Sequence, residues 1–263
     1  MMAYIDVHCH LTGDEFEEVG GVDGALERAK DAGVERVICS GYDLASSYIA
    51  AELANRHAGV YFTAGFHPSE LGKYRDGDLD KLKSLCKEKK CVAVGEIGLD
   101  YHFDDNPAPT LQRELFIKQL ILADELELPV VLHSRDAAQE TLDILREKEE
   151  LLRRGGLMHC YSYSSEMAEL YERLGLHFSF GGPITFKNAK KAQESVQRIP
   201  AHRLLSETDC PYLTPVPFRG TFPNEPKNVV YAVAKLAELK ETSVQEMRAQ
   251  ILENAKKLFY KMN

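Results

Sequence analysis

The sequence predicts an α/β protein built as one (β/α)8 barrel of the TIM type, and three observations carry that reading. Short apolar runs alternate with longer amphipathic stretches along all 263 residues. Strands that alternate with helices imply parallel pairing, because each return needs a crossover. Eight such runs fit in a length typical of a single barrel. No Gly-rich phosphate fingerprint follows the first run, which disfavours an open doubly wound sheet. Residues 1–263 are therefore expected to form one domain, with its chemistry at the C-terminal mouth of the strands.

Taken in order, the strands are expected at 4–8, 34–40, 60–65, 91–96, 129–133, 156–160, 177–181 and 203–208. Helical stretches fall between them, at 24–31, 45–57, 79–89, 111–126, 137–152, 165–174 and 189–199. After the eighth strand comes a Pro-rich segment, Pro211 to Pro226, longer than a connector needs. Loops of that length are usually lids or binding segments. Two helices close the chain, 228–239 and 244–260, the second opened by Thr242 or Ser243 as N-cap.

Composition narrows the class. An apolar content of 44% with 28% charged residues describes a globular chain with ample core material. No stretch approaches the roughly 20 apolar residues of a membrane span, and no basic-then-apolar signal precedes Tyr4, so retention in the cytoplasm is expected. The six cysteines form no CxxC pair and read as plain reduced thiols. Strand alternation turns Cys9 and Cys160 away from their ligand-type neighbours. A net charge of −9 argues against coating of long nucleic acid by a basic surface. It leaves room for an enzyme that grips a few phosphates locally, where bound ions reverse the charge of the pocket.

The chemistry-bearing residues end apolar runs: Tyr4-Ile-Asp-Val-His-Cys-His10, Val92-Ala-Val-Gly-Glu96, Pro129-Val-Val-Leu-His133, Gly156-Leu-Met-His159 and Leu204-Leu-Ser-Glu-Thr-Asp209. Alternate side chains of a strand share a face, so His8 and His10 point the same way. Four imidazoles and two carboxylates, His8, His10, Glu96, His133, His159 and Asp209, would gather at one mouth. That donor set suits zinc, manganese, iron, cobalt or nickel, and its carboxylates leave room for magnesium. Six ligands exceed what one tetrahedral ion with an open position takes, and suit two divalent ions sharing Glu96. His67 falls just past the third strand, on the same side. His57, His177 and His202 fall elsewhere and read as structural or surface residues; His102 stays undecided.

His8-Cys-His10, Gly65-Phe-His-Pro68, Gly95-Glu-Ile-Gly-Leu-Asp100, His133-Ser-Arg-Asp-Ala137, His159-Cys160 and Glu207-Thr-Asp-Cys-Pro-Tyr-Leu213, in that order, resemble the TatD family of metal-dependent deoxyribonucleases, a branch of the amidohydrolase superfamily of distorted (β/α)8 barrels. The resemblance runs from residue 4 to Phe259. It implies His8, His10 and Asp209 around one ion, His133 and His159 around the other, and Glu96 touching both. It also implies an exonuclease acting on DNA ends with Mg, Mn or Zn as cofactor, and no protein or membrane partner. Asp209 is the expected base, and His67 the expected donor to a phosphate or leaving oxygen. Arg135, Tyr161, Ser162, Arg219 and Asn224 are the expected substrate contacts. Arg135 offers a fork to a phosphate or pairs with Asp136 or Glu96, while Tyr161, Tyr163 and Phe222 offer faces for bases.

Two departures from the family pattern bear on substrate. The loop reads Arg219-Gly-Thr-Phe-Pro-Asn-Glu-Pro226, without the lysine usual in relatives, and Tyr161-Ser-Tyr163 replaces a more usual Phe-Ser-Gly. Hydrolysis of a small amide, ester or lactone is therefore the alternative, since the superfamily chemistry is shared and the acidic balance suits it. A barrel kept as a scaffold is disfavoured, because a scaffold has no reason to assemble six ligands.

Overall fold

The structure, a computed structural model, describes residues 3–263. Its eight strands form one sheet in the order β1-β2-β3-β4-β5-β6-β7-β8, with helices between successive strands. The assigned pairs run parallel, for example β1 with β2 and β4 with β5. This is the (β/α)8 barrel that the alternation implies. The strands are β1 Tyr4–Cys9, β2 Val34–Ser40, β3 Val60–Ala64, β4 Cys91–Asp100, β5 Val130–Arg135, β6 Gly156–Met158, β7 Leu176–Phe180 and β8 Leu204–Ser206. The helices are α1 Gly21–Asp31, α2 Leu44–Arg56, α3 Asp78–Cys86, α4 Pro109–Glu125, α5 Ala138–Glu147, α6 Ser165–Arg173, α7 Lys190–Arg198, α8 Val229–Leu239 and α9 Val244–Leu258. No helix among the described residues is long and apolar enough to cross a membrane.

Local chemistry sets the helix starts. Asp43 caps α2 reciprocally with Ser46: its carboxylate accepts from the Ser46 amide at 2.7 Å, and the Ser46 hydroxyl accepts from the Asp43 amide at 2.9 Å. Pro109 opens α4, where its missing N–H costs nothing. Of the two candidate caps for α9, Ser243 does the work. Its hydroxyl accepts from the Glu246 amide at 3.2 Å, and the Glu246 carboxylate returns to the Ser243 amide at 3.1 Å.

Four strands depart from the expected ends by two residues or more. β5 runs on to Arg135 where 133 was expected, and β6 stops at Met158 where 160 was expected. β4 continues four residues past Glu96, because Gly98, Leu99 and Asp100 keep pairing with His133, Ser134 and Arg135 of β5. Glu96 therefore sits inside its strand, and the run that was expected to end there does not. Only glycine suits position 98: φ is +143° and a Cβ would strike the His133 carbonyl. β8, by contrast, stops at Ser206, three residues before Asp209.

By its internal contacts the chain divides into two compact units. One comprises the residues up to Cys39, Cys160–Glu169 and Phe178–Lys257; the other comprises Ser40–His159, Leu170–His177 and Leu258–Asn263. In the first, Ile5, Val7, Phe178, Leu204 and Leu205 of the strands are buried, as are Val233 and Leu236 of α8 and Ile251 of α9. Asn254 of α9 is fully buried and donates to the carbonyls of Ala201 and Leu204, both at 2.8 Å, which fixes the entry into β8. In the second, Phe62, Val92, Val94 and Val131 of the strands are buried, as are Phe116 and Leu120 of α4 and Leu142 and Leu145 of α5.

Candidate metal centre

The first unit gathers His8, His10 and Asp209. Strand alternation in β1 puts both imidazoles on one face, with their Nε2 atoms 3.2 Å apart. Cys9, between them, turns the other way and donates its thiol proton to the Ile38 carbonyl at 3.4 Å. Asp209 is brought alongside by backbone pairing past the end of β8: its amide donates to the His8 carbonyl at 3.0 Å, and the His10 amide to the Cys210 carbonyl at 2.6 Å. The turn holds Asp209 at φ +54°, a left-handed value that Asp tolerates better than most residues. Its Oδ1 then lies 3.6 Å from His8 Nε2 and 3.4 Å from His10 Nε2.

Beneath this triad lies Asp6, fully buried, accepting from the amides of His8 at 3.3 Å and Thr208 at 2.9 Å and from the Thr208 hydroxyl. Burial pushes its carboxyl well up, against the Thr208 hydrogen bonds that pull it down. Glu207 is also fully buried and accepts from the Cys160 amide at 2.7 Å and from the Ser179 hydroxyl.

The second unit gathers Glu96, His133 and His159. Glu96 Oε1 lies 2.8 Å from His133 Nδ1 and 2.8 Å from His159 Nε2, and the two imidazole nitrogens are 3.2 Å apart. Glu96 is placed by its amide, which donates to the Gly41 carbonyl at 2.9 Å. The end of β3 also comes very close: a Cβ on Gly65 would lie 2.7 Å from the Gly95 carbonyl carbon, so this crossing needs glycine. Nε2 of His133 faces Asp100 Oδ2 at 2.9 Å. Asp100 is itself held on Oδ1 by the His102 amide and the Asn106 side chain, both at 3.0 Å, and through its backbone by Gln112. Both ring nitrogens of His133 thus face carboxylates; with a cation at Nδ1 the proton would stay on Nε2 beside Asp100, the arrangement usual behind a metal-bound histidine. Burial lowers the His133 pKa, but hydrogen bonds to Asp100 and Glu96 outweigh it and raise the value above the ordinary one.

His67 joins this second set, with Nε2 3.4 Å from Glu96 Oε1 and its ring edge-on to His133 at 4.2 Å. The Ser69 amide donates to His67 Nδ1 at 3.2 Å, so the ring proton sits on Nε2. Burial, helped by the charge of His133, holds its pKa down to about 3, and the ring is a neutral donor.

Both sets pass a test of fit to divalent metal. Donors held about 2.0–2.2 Å from a tetrahedral ion stand roughly 3.3–3.6 Å apart; the first set spans 3.2–3.6 Å. Neighbouring donors of an octahedral ion at about 2.0–2.1 Å stand roughly 2.8–3.0 Å apart, as Glu96 does from both its histidines at 2.8 Å. Two imidazoles and a carboxylate, largely buried, are in each case a donor set for such ions.

The expected substrate residues fare differently. Arg135 is exposed with its guanidinium 4.9 Å over the Phe103 ring, while Asp136 pairs with His102 at 2.7 Å. His102 is thereby placed in a surface hydrogen bond, and His57, His177 and His202 enter no cluster of ligand atoms among the described residues. Ser162 is exposed. Arg219 is exposed and lies 4.1 Å over Phe186. Tyr161 is only 3% exposed, its ring against Phe178 and Phe180 and its hydroxyl donating to the Ser164 carbonyl at 2.6 Å. Asn224 is fully buried and spends its side chain on the Thr208 and Tyr212 carbonyls, the Glu225 amide and Asn228. All six cysteines are free, and only Cys160 is not buried.

Asp100, Asp6 and Glu207 were not among the sequence-derived site residues. Asp100 carried a signal, an acid two positions from a glycine in an apolar run, yet its role depends on a strand continuing where the pattern suggested an end.

Comparison with known proteins agrees with this geometry. The sequence profile of the TatD related DNase family matches residues 5–260. The uncharacterized metal-dependent hydrolase YabD of Bacillus subtilis (strain 168) is 42% identical over 254 residues, 97% of this chain and 98% of that protein. YcfH of Escherichia coli (strain K12), of the same description, is 36% identical over 260 residues, 98% of this chain and 96% of that one. The crystal structure of YjjV, a TatD homologue from Escherichia coli K12, superposes with a TM-score of 0.91 at 34% identity, covering 99% of each chain. With its length matched end to end and its ligand-type residues drawn into two clusters, this chain belongs to the TatD-related DNase family of metal-dependent hydrolases.

Proposed function

We propose that the chain is a deoxyribonuclease that hydrolyses phosphodiester bonds at DNA ends, with residues 1–263 acting as one cytoplasmic hydrolase domain. His8, His10 and Asp209 would hold one divalent ion, and Glu96, His133 and His159 another. The observation that carries this reading is the pair of donor sets, each with two imidazole nitrogens and a carboxylate oxygen at metal-ligand spacing. Divalent ions at such sites polarise a phosphoryl oxygen and bring the pKa of water down to about 7. The water oxygen bonds to phosphorus as the ester P–O bond breaks. Asp209 takes the proton from the water and passes it on to the leaving oxygen, while the neutral His67 donates a hydrogen bond from its Nε2–H to a phosphate or leaving oxygen and keeps that proton. Asp100 keeps the His133 proton on Nε2 throughout. Arg135, Ser162 and Arg219 contact the strand from exposed positions, and the buried Tyr161 and Asn224 act by holding the backbone of their own loops.

Turnover of a single-stranded oligonucleotide with Mg, Mn or Zn, against none on a panel of amides, esters and lactones, is the expected result. The reverse pattern would establish the alternative, hydrolysis of a small carbonyl compound. The net charge of −9 and the loop lacking lysine favour that alternative. On the nuclease reading the same features predict affinity that changes little between about 50 and 200 mM salt, where 6–10 phosphate contacts would cost roughly 10³–10⁵.

A further inference from the structure

The loop between β8 and α8 exposes an unusual amount of apolar surface. Among the described residues, five of the eleven large hydrophobic side chains that stand exposed lie in this one segment: Tyr212, Leu213, Val216, Phe218 and Phe222. Tyr212 is 52% and Phe222 60% exposed, and their rings lie 6.3 Å apart at 40°. Scattered exposed hydrophobics need no explanation, but a contiguous set in one short loop does.

The loop is also tightly held. The Tyr212 amide closes a turn on the Asp209 carbonyl at 3.1 Å. The buried Asn224 donates to the Tyr212 carbonyl at 2.7 Å, and its own amide donates to the Pro211 carbonyl at 2.8 Å. Further out, the Thr214 hydroxyl donates to the Thr221 carbonyl at 2.6 Å and the Val216 amide to the Thr185 hydroxyl at 2.9 Å. Asn224 thus fixes both ends of the segment that carries the two rings. A loop that spends a buried amide on holding aromatic faces out in water has its contact surface already formed, so little ordering is lost when something stacks there.

We propose that Tyr212 and Phe222 form a stacking ledge for an unpaired nucleobase of the strand whose phosphate is engaged at Asp209. The proposal rests on the nucleic-acid reading above and deepens it by assigning where a base is held. Three features select a base over other occupants. The ledge begins three residues after a ligand of the first set, and the Tyr212 amide is bonded to the Asp209 carbonyl at 3.1 Å. It is built from two rings, and every base has a π-face that such rings take regardless of sequence. Arg219 forms no ion pair among the described residues and lies over Phe186, so the nearby cation is itself held as a stacking surface rather than neutralised by a carboxylate. Stacking asks for no row of lysines, in keeping with the net charge of −9.

The test is binding of a fluorescent ten-nucleotide dT strand and an abasic strand of equal length, both phosphorothioate-linked to resist cutting, by anisotropy with the metal-loaded protein. The intact protein should bind dT at least about tenfold more tightly than the abasic strand. Tyr212→Ala and Phe222→Ala should each weaken dT binding roughly 5- to 100-fold, the scale of one base–aromatic stack, and leave abasic binding unchanged. Phe222→Tyr should restore it. Equal affinity for the two strands, no measurable dT binding, or alanine variants indistinguishable from the parent would each overturn the ledge. So would a change in self-association on sedimentation without a change in dT binding, since the surface would then serve a second copy of the chain. Hydrolysis of oligonucleotide ends by metal-loaded protein is scored separately. If ends are cut but the alanine variants bind normally, the ledge fails and the nuclease reading stands. If dT binding depends on the rings but no strand is cut, the ledge stands and the nuclease reading fails.

Discussion

The two ligand sets reach similar chemistry by different routes. His8 and His10 come from one strand and need only its twofold alternation, with Asp209 added by a short backbone splice onto β1. Glu96, His133 and His159 come from β4, β5 and the exit of β6, and meet only because those strands pair side by side, with the β4–β5 register shifting by one residue between Val94 and Ile97. The first set is spaced at 3.2–3.6 Å and rests on the buried Asp6. The second is drawn in to 2.8 Å around Glu96 and rests on Asp100 through His133. A local pair tolerates looseness in its third member; a set assembled from three strands needs a support that fixes each ring.

Breaking the first set should have the largest effect. Asp209→Asn removes a ligand charge and the proposed base with almost no change in volume, and turnover should fall about 10²–10⁴-fold. Near-normal turnover at saturating metal would show that the proton leaves by another route.

Asp100→Asn probes the second set alone. Loss of a carboxylate behind a metal-bound histidine typically weakens metal binding about 10–100-fold. In a two-site titration against a chelating dye, one step should move by that amount and the other should stay. Equal movement of both steps would mean that the sets are not separately supported.

The pH dependence separates the sets further. His133 has a folded pKa above its ordinary 6.5. The stability it lends the metal-free protein is therefore complete below the unfolded pKa and is lost as pH rises through the folded one. Metal needs the neutral ring, so affinity at the second set should climb over that same window above pH 6.5. Urea melts in chelator across pH 6–9, compared with His133→Gln, read the first effect. A parent curve parallel to that of the variant would remove His133 as its source.

The smallest expected change is at Thr208→Val, which takes one hydroxyl from the buried Asp6 while leaving the Thr208 amide bond in place. A cost of about 1–3 kcal/mol in unfolding free energy is expected for leaving a buried polar group short of a partner. A shift in metal affinity at the second set would contradict the separation drawn here.

Much of this was legible in the sequence. The order of eight strands, the parallel crossovers and the shared face of His8 and His10 follow from periods of 2 and 3.6, which are local properties of the chain. The same local patterning put His159 just past the end of β6 and turned Cys9 away from the face of His8 and His10, whereas His133 falls inside β5. What only the tertiary structure decided lies where neighbouring strands overrule local pattern. Glu96 falls inside β4 because β5 continues to pair beyond it, and Asp100 becomes the support of His133 for the same reason. Tyr161 looks like an offered stacking face in sequence, yet Phe178 and Phe180 of β7 claim its ring. Asn224 looks like a substrate contact, yet four partners within the fold take its amide. A side chain's type and spacing fix which interactions it is able to make. Which of them it makes depends on the competing donors, acceptors and surfaces that come within reach, and those are brought there by residues distant in sequence.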